Sequence, residues 1–436
     1  MWRTAYWAPA AATGCWLDGA FGWHPLVSCV EEVLRGSGER ERQHHLIPYG
    51  RQDVTEDDIA AVVRVLKSDW LTQGPAVPEF EKSVERYCGA GHAIAVSSAT
   101  SALHIACVAM DLGPGDWLWT VPNTFVASAN CGIYCGANVD FVDIDPRTYN
   151  ISIEALERKL AMAKRDSRLP KVLIPVHFSG QSCDMAAIAD LGSRYGFRIL
   201  EDASHAIGAV WDGVRVGACR HSDVVIFSFH PVKIITTGEG GMAVTQNAAL
   251  AQRMRRLRTH GITRVPSEMQ ADAEGAWYYE QIELGFNYRL TDIQAALGLS
   301  QMNRLEFYVT RRRELARRYD ELLKATPLIL PWQDPRSQSA WHLYVVQLAA
   351  AQAKRIRRAS FDALRQAGIG VNVHYLPVHL QPFYRAKGFA AGDFPEAEHY
   401  SERAISLPLF PAMSDAEQLQ VVEAVRTTLQ RTAGTH

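Results

Sequence analysis

Between residues 92 and 228, short apolar runs alternate with amphipathic stretches, and only a few residues separate one from the next. Runs at 92–97, 117–121, 139–142, 172–176, 197–201 and 224–228 are rich in branched and aromatic residues. They read as buried strands. Stretches at 125–134, 153–163 and 188–195 carry apolar residues at helical spacing, and a further helix after residue 97 places Leu103, Ala106 and Met110 on one face. Strands and helices in alternation, joined by short turns, predict an α/β fold with a doubly wound, mostly parallel sheet. In such sheets ligands bind outside the carboxyl ends of the strands. The residues that close each run are therefore the candidates for chemistry.

A lysine also stands out. Lys233 stands between apolar pieces in FSFHPVKIITTGEGGMAV (227–244), ahead of a Gly-rich turn. Burying an ammonium is costly, and burial lowers its pKa. A partly desolvated, neutral lysine is what Schiff-base chemistry requires. The bland alternative is a lysine whose stem lies on apolar surface while its head reaches water.

Polar groups close several strands. Asp202 follows 197–201, where a carboxylate can meet a cationic ring nitrogen or merely cap a helix. His205 can offer a ring N–H to an anionic oxygen, or satisfy a polar neighbour. His177 ends another strand. After 92–97, small hydroxyl residues lead into a helix start, a place where N–H groups and hydroxyls hold phosphate or simply cap. Phe125, at the start of the 125–134 helix, can stack on a ring. A lysine, an acid for a ring nitrogen, a phosphate cradle and a stacking aromatic are together the parts that pyridoxal 5'-phosphate needs.

Composition excludes several other classes. The chain has 436 residues and a net charge of −2, so bulk electrostatics suggest neither a nucleic-acid nor a membrane partner. Its length allows a large core and two domains. Eight cysteines are scattered without a Cys-x-x-Cys pair. Cys131 and Cys135 are four apart, but no zinc-like partner spacing lies near, and no metal site is expected. Reduced thiols in a cytoplasmic protein are the simplest expectation. Residues 1–45, rich in Trp and Ala and then in charge, lack an apolar run of signal-peptide or membrane-spanning length. They are read as an unassigned appendage.

The segments LTQGP (71–75), SSATSAL (97–103), NTFVASAN (123–130), HFSGQSCDM (177–185), EDASHAIGA (201–209), SFHPVKIITTGEGG (228–241), GFNYRLTDIQAALGLSQ (285–301) and VHYLPVHLQPFY (373–384) carry a resemblance. From about residue 47 to the end, the chain resembles the sugar aminotransferases of the DegT/DnrJ/EryC1/StrS group, which are fold-type I pyridoxal-phosphate enzymes. Segments 228–241 and 287–301 are most similar to its pseudaminic-acid branch. The resemblance implies a seven-stranded, mostly parallel sheet in a large domain (46–300) and a smaller α+β domain (301–436). It implies that Lys233 binds the cofactor's aldehyde and moves protons, and that Asp202 partners the ring nitrogen. His205 stands near the ring hydroxyl, where the family often has Gln, and Phe125 stacks. Ala99, Thr100 and Ser228 match phosphate contacts. Asn287 matches a residue that reaches the phosphate of a neighbouring subunit, which implies a homodimer with shared sites. Thr72, Gln73, His374 and Tyr375 match the region that faces a nucleotide sugar. L-Glutamate is the implied amino donor, and a UDP-linked 4-keto-6-deoxy-N-acetylhexosamine the implied acceptor. Relatives with His at the lysine position act as dehydratases, so Lys233 favours transamination. Ser179 departs from the family's usual small Ala, and residues 1–45 have no counterpart. A different nucleotide-linked keto sugar (legionamine-type or dTDP-linked) and a non-catalytic regulator on the same fold are the alternatives.

Three local expectations complete the reading. Thr55 caps a helix with apolar Ile59, Val62, Val63 and Leu66. One long helix runs from 292 to about 323, with Ile293, Leu297, Leu305 and Leu315 on a buried stripe. Arg255, Arg256 and Arg258 lie on a solvated helix face or meet a nucleotide diphosphate.

Overall fold

The apolar runs pair into one seven-stranded sheet in a computed structural model that describes residues 46–349 and 353–433. The expected N-terminal appendage lies outside the described residues. The strands are β1 (His92–Val96), β2 (Trp117–Thr120), β3 (Asn138–Phe141), β4 (Val172–Leu173), β5 (Arg198–Asp202), β6 (Val224–Ser228) and β7 (Gly241–Thr245). Their spatial order is β1-β7-β6-β5-β4-β2-β3. Neighbours from β3 through β6 pair in parallel, and β7 runs antiparallel to both β6 and β1. The doubly wound, mostly parallel sheet expected from the alternation is therefore the one observed.

Helices cover both faces. They are α1 (Glu56–Leu66), α2 (Ala76–Cys88), α3 (Ala99–Ala109), α4 (Ala127–Tyr134), α5 (Ile153–Arg165), α6 (Met185–Tyr195), α7 (Ala248–Leu257), α8 (Asp292–Met302) and α9 (Leu305–Leu323). The period-two alternation of a strand sends Ile94, Val96, Val224 and Ile226 into one core with Leu103 and Ile105 of α3. It sends Ala93, Ala95, Val225 and Phe227 into the other, with Phe80 and Val84 of α2. Strands buried on both faces have to be apolar throughout, as these are.

The edge strand β1 is capped by side chains. Glu85 and Glu81 of α2 accept from the N–H groups of Ala93 and Ala95, each at 2.8 Å. Arg255 and Arg258 donate to the carbonyls of Ala93 (3.3 Å) and Ala95 (2.8 Å). Unpaired edge groups invite another chain, and this arrangement occupies them. It corrects the reading of the arginines, which neither cover a solvated face nor stand free for a diphosphate. Arg258 also pairs with Glu81, and Arg256 with Glu283 and Glu268.

The single helix expected over 292–323 is two helices. Arg304 leaves helical geometry (φ −111°, ψ 3°). Its guanidinium reaches the buried Asp58 at 2.5 Å and the Tyr308 hydroxyl at 2.9 Å. Gln301 donates to the same carboxylate at 2.7 Å. An apolar period cannot register a buried acid that draws the chain aside. The same contact turns α1 around. Its capping box at Thr55 and Asp58 forms as expected, but the buried residues are Asp58 and Ala61, and Ile59, Val63 and Leu66 face outward. On α8, Ala295, Ala296 and Gly298 are buried, while Ile293 and Leu297 are only partly so. A Cβ on Gly298 would come within 2.7 Å of the Phe80 ring, so close packing here selects small residues.

A second layer follows. β9 (Tyr344–Leu348) lies between β8 (Leu328–Ile329) and β10 (Ala404–Leu407) in antiparallel pairing. Helices α10 (Ala353–Gln366), α11 (Pro395–Arg403) and α12 (Asp415–Ala433) complete the chain, and α10 and α12 share an apolar core with α9 and this sheet. From Leu46 on the chain clusters as one compact unit. Its division into two domains near residue 300, where α8 gives way to α9, is our proposal.

Candidate active site

The carboxyl ends of β1, β5 and β6 and the loop after β2 open onto one cavity of about 770 Å³. Ala99, Thr100, Phe125, Asp202, His205, Ser228, Lys233, His374 and Tyr375 all line it. Thr72, Gln73 and Asn287 do not. Thr72 pairs with Thr291, and Asn287 with Thr259. Gln73 takes a left-handed backbone (φ 57°) in a loop held by Asp292, which accepts from the N–H groups of Gly74 and Val77.

Asp202 ends β5 and is nearly buried, at 6% exposure. Its Oδ2 accepts from the Ser128 hydroxyl at 2.7 Å and its Oδ1 from the Ser204 N–H at 3.1 Å. These bonds hold the carboxylate at the cavity floor. Ser128 was not singled out from the sequence. It lies in α4, 74 residues away, and no local pattern ties it to Asp202.

Lys233 keeps some open surface toward the cavity, yet the surrounding protein desolvates its ammonium. Burial lowers its pKa to about 8, against the opposing pull of the Asp202 carboxylate. At neutral pH a usable fraction of the amine is therefore unprotonated. A lysine with its head in bulk water would not show this shift.

His205 is buried, and desolvation together with the Lys233 charge pushes its pKa well down, so the ring is neutral. Its Nδ1 accepts from the Ser179 N–H at 3.3 Å. The proton then sits on Nε2, which donates to the Tyr375 hydroxyl at 3.1 Å. The imidazole therefore spends its N–H on Tyr375 and leaves that phenol's own proton for the cavity. Burial raises the Tyr375 pKa, which keeps this proton in place. His374 bonds the Ser406 hydroxyl through Nδ1 at 2.7 Å, and burial lowers its pKa to about 3. His342, absent from the sequence reading, also lines the cavity, with its ring 4.3 Å from that of His205. His177 serves as a satisfied polar neighbour: it is fully buried, accepts from the Cys183 N–H and bonds Glu201 at 2.6 Å, outside the cavity.

The start of α3 forms an anion cradle. Ser98 caps the helix by accepting from the Ser101 N–H at 3.1 Å. That cap leaves the N–H groups of Ala99 and Thr100 for a ligand, at the positive end of the helix. The neighbouring strand must approach closely. A Cβ on Gly241 would lie 2.4 Å from the Ser98 carbonyl carbon and 2.5 Å from the Ala99 nitrogen. Gly241→Ala is therefore expected to displace the cradle and to destabilise the fold by about 1–3 kcal/mol, the usual cost of overpacking. Thermal unfolding with and without inorganic phosphate checks this: the variant should melt lower and gain less from phosphate than the parent does.

Phe125 is 60% exposed, although the four residues before it are buried. An aromatic face left open to a cavity fits a planar ring. With the lysine, the fixed carboxylate and the anion cradle, it makes a donor set that fits pyridoxal phosphate.

Comparison with known proteins agrees with this geometry. A profile described as the DegT/DnrJ/EryC1/StrS aminotransferase family matches residues 52–426. The spore coat polysaccharide biosynthesis protein SpsC of Bacillus subtilis is 40% identical over 389 residues, 88% of this chain and 98% of SpsC. The structure is similar to Helicobacter pylori PseC, an aminotransferase involved in the biosynthesis of pseudoaminic acid, with a TM-score of 0.81 and 29% identity over 88% of this chain and all of PseC. It is similar to the same degree to Streptococcus pneumoniae Spr1654 in its PMP form, with a TM-score of 0.81 and 30% identity over 88% of this chain and 100% of that one.

Proposed function

The chain belongs to the DegT/DnrJ/EryC1/StrS aminotransferase family, and from that premise we propose that it moves an amino group from L-glutamate to a keto sugar carried by a nucleotide. It is a sugar aminotransferase of this family with pyridoxal 5'-phosphate as its cofactor. The observation that carries the assignment is Lys233, with its pKa lowered to about 8, facing the same cavity as the anchored Asp202.

When bound, the cofactor carries the amino group between the two substrates and its protonated ring takes up the electrons of a broken C–H bond. The residues of this chain supply the rest. Ala99, Thr100 and Ser228 would hold the phosphate, and Phe125 would stack on the ring. Asp202 would keep the ring nitrogen protonated. Lys233 takes a proton from one carbon and returns it to another, which needs a base of pKa near the working pH within hydrogen-bond reach. Tyr375, held by His205, offers its hydroxyl to the ring's oxygen or to the sugar. Donor and acceptor use the site in turn, in a ping-pong cycle.

The acceptor we favour is a UDP-linked 4-keto-6-deoxy-N-acetylhexosamine, the product being the 4-amino sugar nucleotide. Its support is the likeness of segments 228–241 and 287–301 to the pseudaminic-acid branch, together with the similarity to PseC. His374 and Tyr375 face the sugar in this reading. A legionamine-type or dTDP-linked keto sugar is the second reading. The chain works as a homodimer in the cytoplasm. The outward apolar residues of α1 support a second copy there, as do Thr72, Gln73 and Asn287 lying away from this chain's own cavity. Among the described residues no helix is long and apolar enough to cross a membrane.

The test is the visible absorption of purified protein. L-Glutamate should bleach the cofactor band, and the UDP-linked keto sugar should restore it. Bleaching without restoration by this sugar would discard the acceptor and keep the aminotransferase. The lysine also sets a pH profile. Only the neutral amine captures an aldehyde, so the rate at which apo-protein takes up the cofactor should rise about tenfold per pH unit below about 8 and level off above it. Stopped-flow absorbance between pH 6 and 9.5 reads this directly, and a flat profile would remove Lys233 from the step.

A further inference from the structure

Where α3 and α4 end, three thiols meet away from the cavity. Cys107 lies in α3, Cys131 in α4, and Cys135 is the C-cap of α4. The two helices pack directly on one another. Cys107 and Cys131 are fully buried, whereas Cys135 keeps an open surface. The Cys107 thiol faces both of the others. The Cys131 thiol donates to the Ser128 carbonyl at 3.4 Å. Cys135 faces Cys107 on one side and His104 on the other. His104 is itself buried, and its Nδ1 lies 3.2 Å from the Tyr288 hydroxyl. None of these side chains lines the cavity or has a part in the chemistry above.

We propose that Cys135 and Cys107 form an oxidative modification site, in which Cys135 reacts with a hydroperoxide and Cys107 resolves the product into a disulfide joining α3 to α4. A reactive cysteine needs access, a stabilised thiolate and a second thiol at hand. Cys135 has the open surface. The Cys107 S–H and the His104 ring stabilise its thiolate, and its pKa falls to about 6. A Tyr288 hydroxyl that donates to Nδ1 leaves the His104 proton on the other ring nitrogen, free to donate. Cys107 is held as a thiol, its pKa raised by the neighbouring thiols and by burial.

The steps balance. The Cys135 thiolate attacks a peroxide oxygen, the O–O bond breaks, and the leaving oxygen takes a proton to become water or an alcohol. Cys135 is then a sulfenic acid. The Cys107 sulfur attacks it, the S–S bond forms, and the displaced hydroxide leaves as water with the Cys107 proton. Two thiols lose two electrons, and the peroxide gains them. The bond would tie the helix that carries Ala99 and Thr100 to the one that carries Ser128.

The experiment treats the full-length holoenzyme with equimolar hydrogen peroxide, blocks free thiols and maps peptides by mass spectrometry. A Cys107–Cys135 linkage reversed by dithiothreitol is expected. In Cys135→Ser the linkage should be absent and Cys107 should oxidise at least about tenfold more slowly, as for a buried thiol. Because that variant can perturb packing, iodoacetamide labelling of Cys135 in the parent protein is measured as well, with half-maximal rate expected near pH 6. Linkage to Cys131, to another cysteine or between chains, Cys135 overoxidised beside an intact Cys107, or Cys135 labelling only above pH 8 would each overturn the proposal.

Discussion

Lys233→Ala is expected to lose amino transfer by about 10³-fold, because proton transfer by a positioned base contributes about 10²–10⁴. The corresponding barrier increase is about 4 kcal/mol. The variant should still bind cofactor through the α3 cradle and Phe125, but without the absorption band of the lysine-linked form. Thermal stability of the apo-protein should hold or rise, since the substitution removes an ammonium that burial disfavours. That pairing separates a catalytic defect from a folding defect. Steady-state turnover, absorption spectra and calorimetry on one preparation would measure all three. Turnover equal to the parent's would sink the mechanism.

Asp202→Asn should reduce turnover by about 10²–10³-fold, the scale on which removing one preorganised electrostatic partner acts in other sites. The amide keeps the size of the side chain and can still accept from Ser204, so the fold should survive. The carboxylate favours the charged form of Lys233 and raises its pKa. Removing it should therefore move the inflection of the pH profile below 8, while the plateau rate drops. A loss of rate with the inflection unmoved would show that Asp202 and Lys233 are not electrostatically linked. An inflection that moved upward would contradict the sign of the interaction.

Lys233 was legible as a lysine set between apolar pieces ahead of a Gly-rich turn, and Asp202 because it stands at the end of an apolar run, which is a local property. The same holds for Ala99 and Thr100 after β1 and for Phe125 after β2. The parallel sheet was legible for a similar reason: short continuous apolar runs and helices of period 3.6 each declare themselves within about ten residues. The resemblance extended the reading to His374 and Tyr375, which lie far along the chain from the sheet and still reach its cavity.

Other features were not legible, and they share a cause. Ser128 holds Asp202 across 74 residues. Arg304 breaks a helix to reach Asp58, 246 positions back. Arg255 and Arg258 look solvated in the sequence and instead cap the edge of β1, more than 160 residues away. The apolar positions of α1 face outward because a buried acid occupies the inner side. By itself, then, the sequence determined which segments become strands and helices and which residues stand at their ends, since backbone sterics and side-chain period act between near neighbours. Only the tertiary structure decided which of those ends share a cavity, which charges are stripped of water and which are paired. Desolvation and ion pairing depend on distance in space, and packing sets that distance.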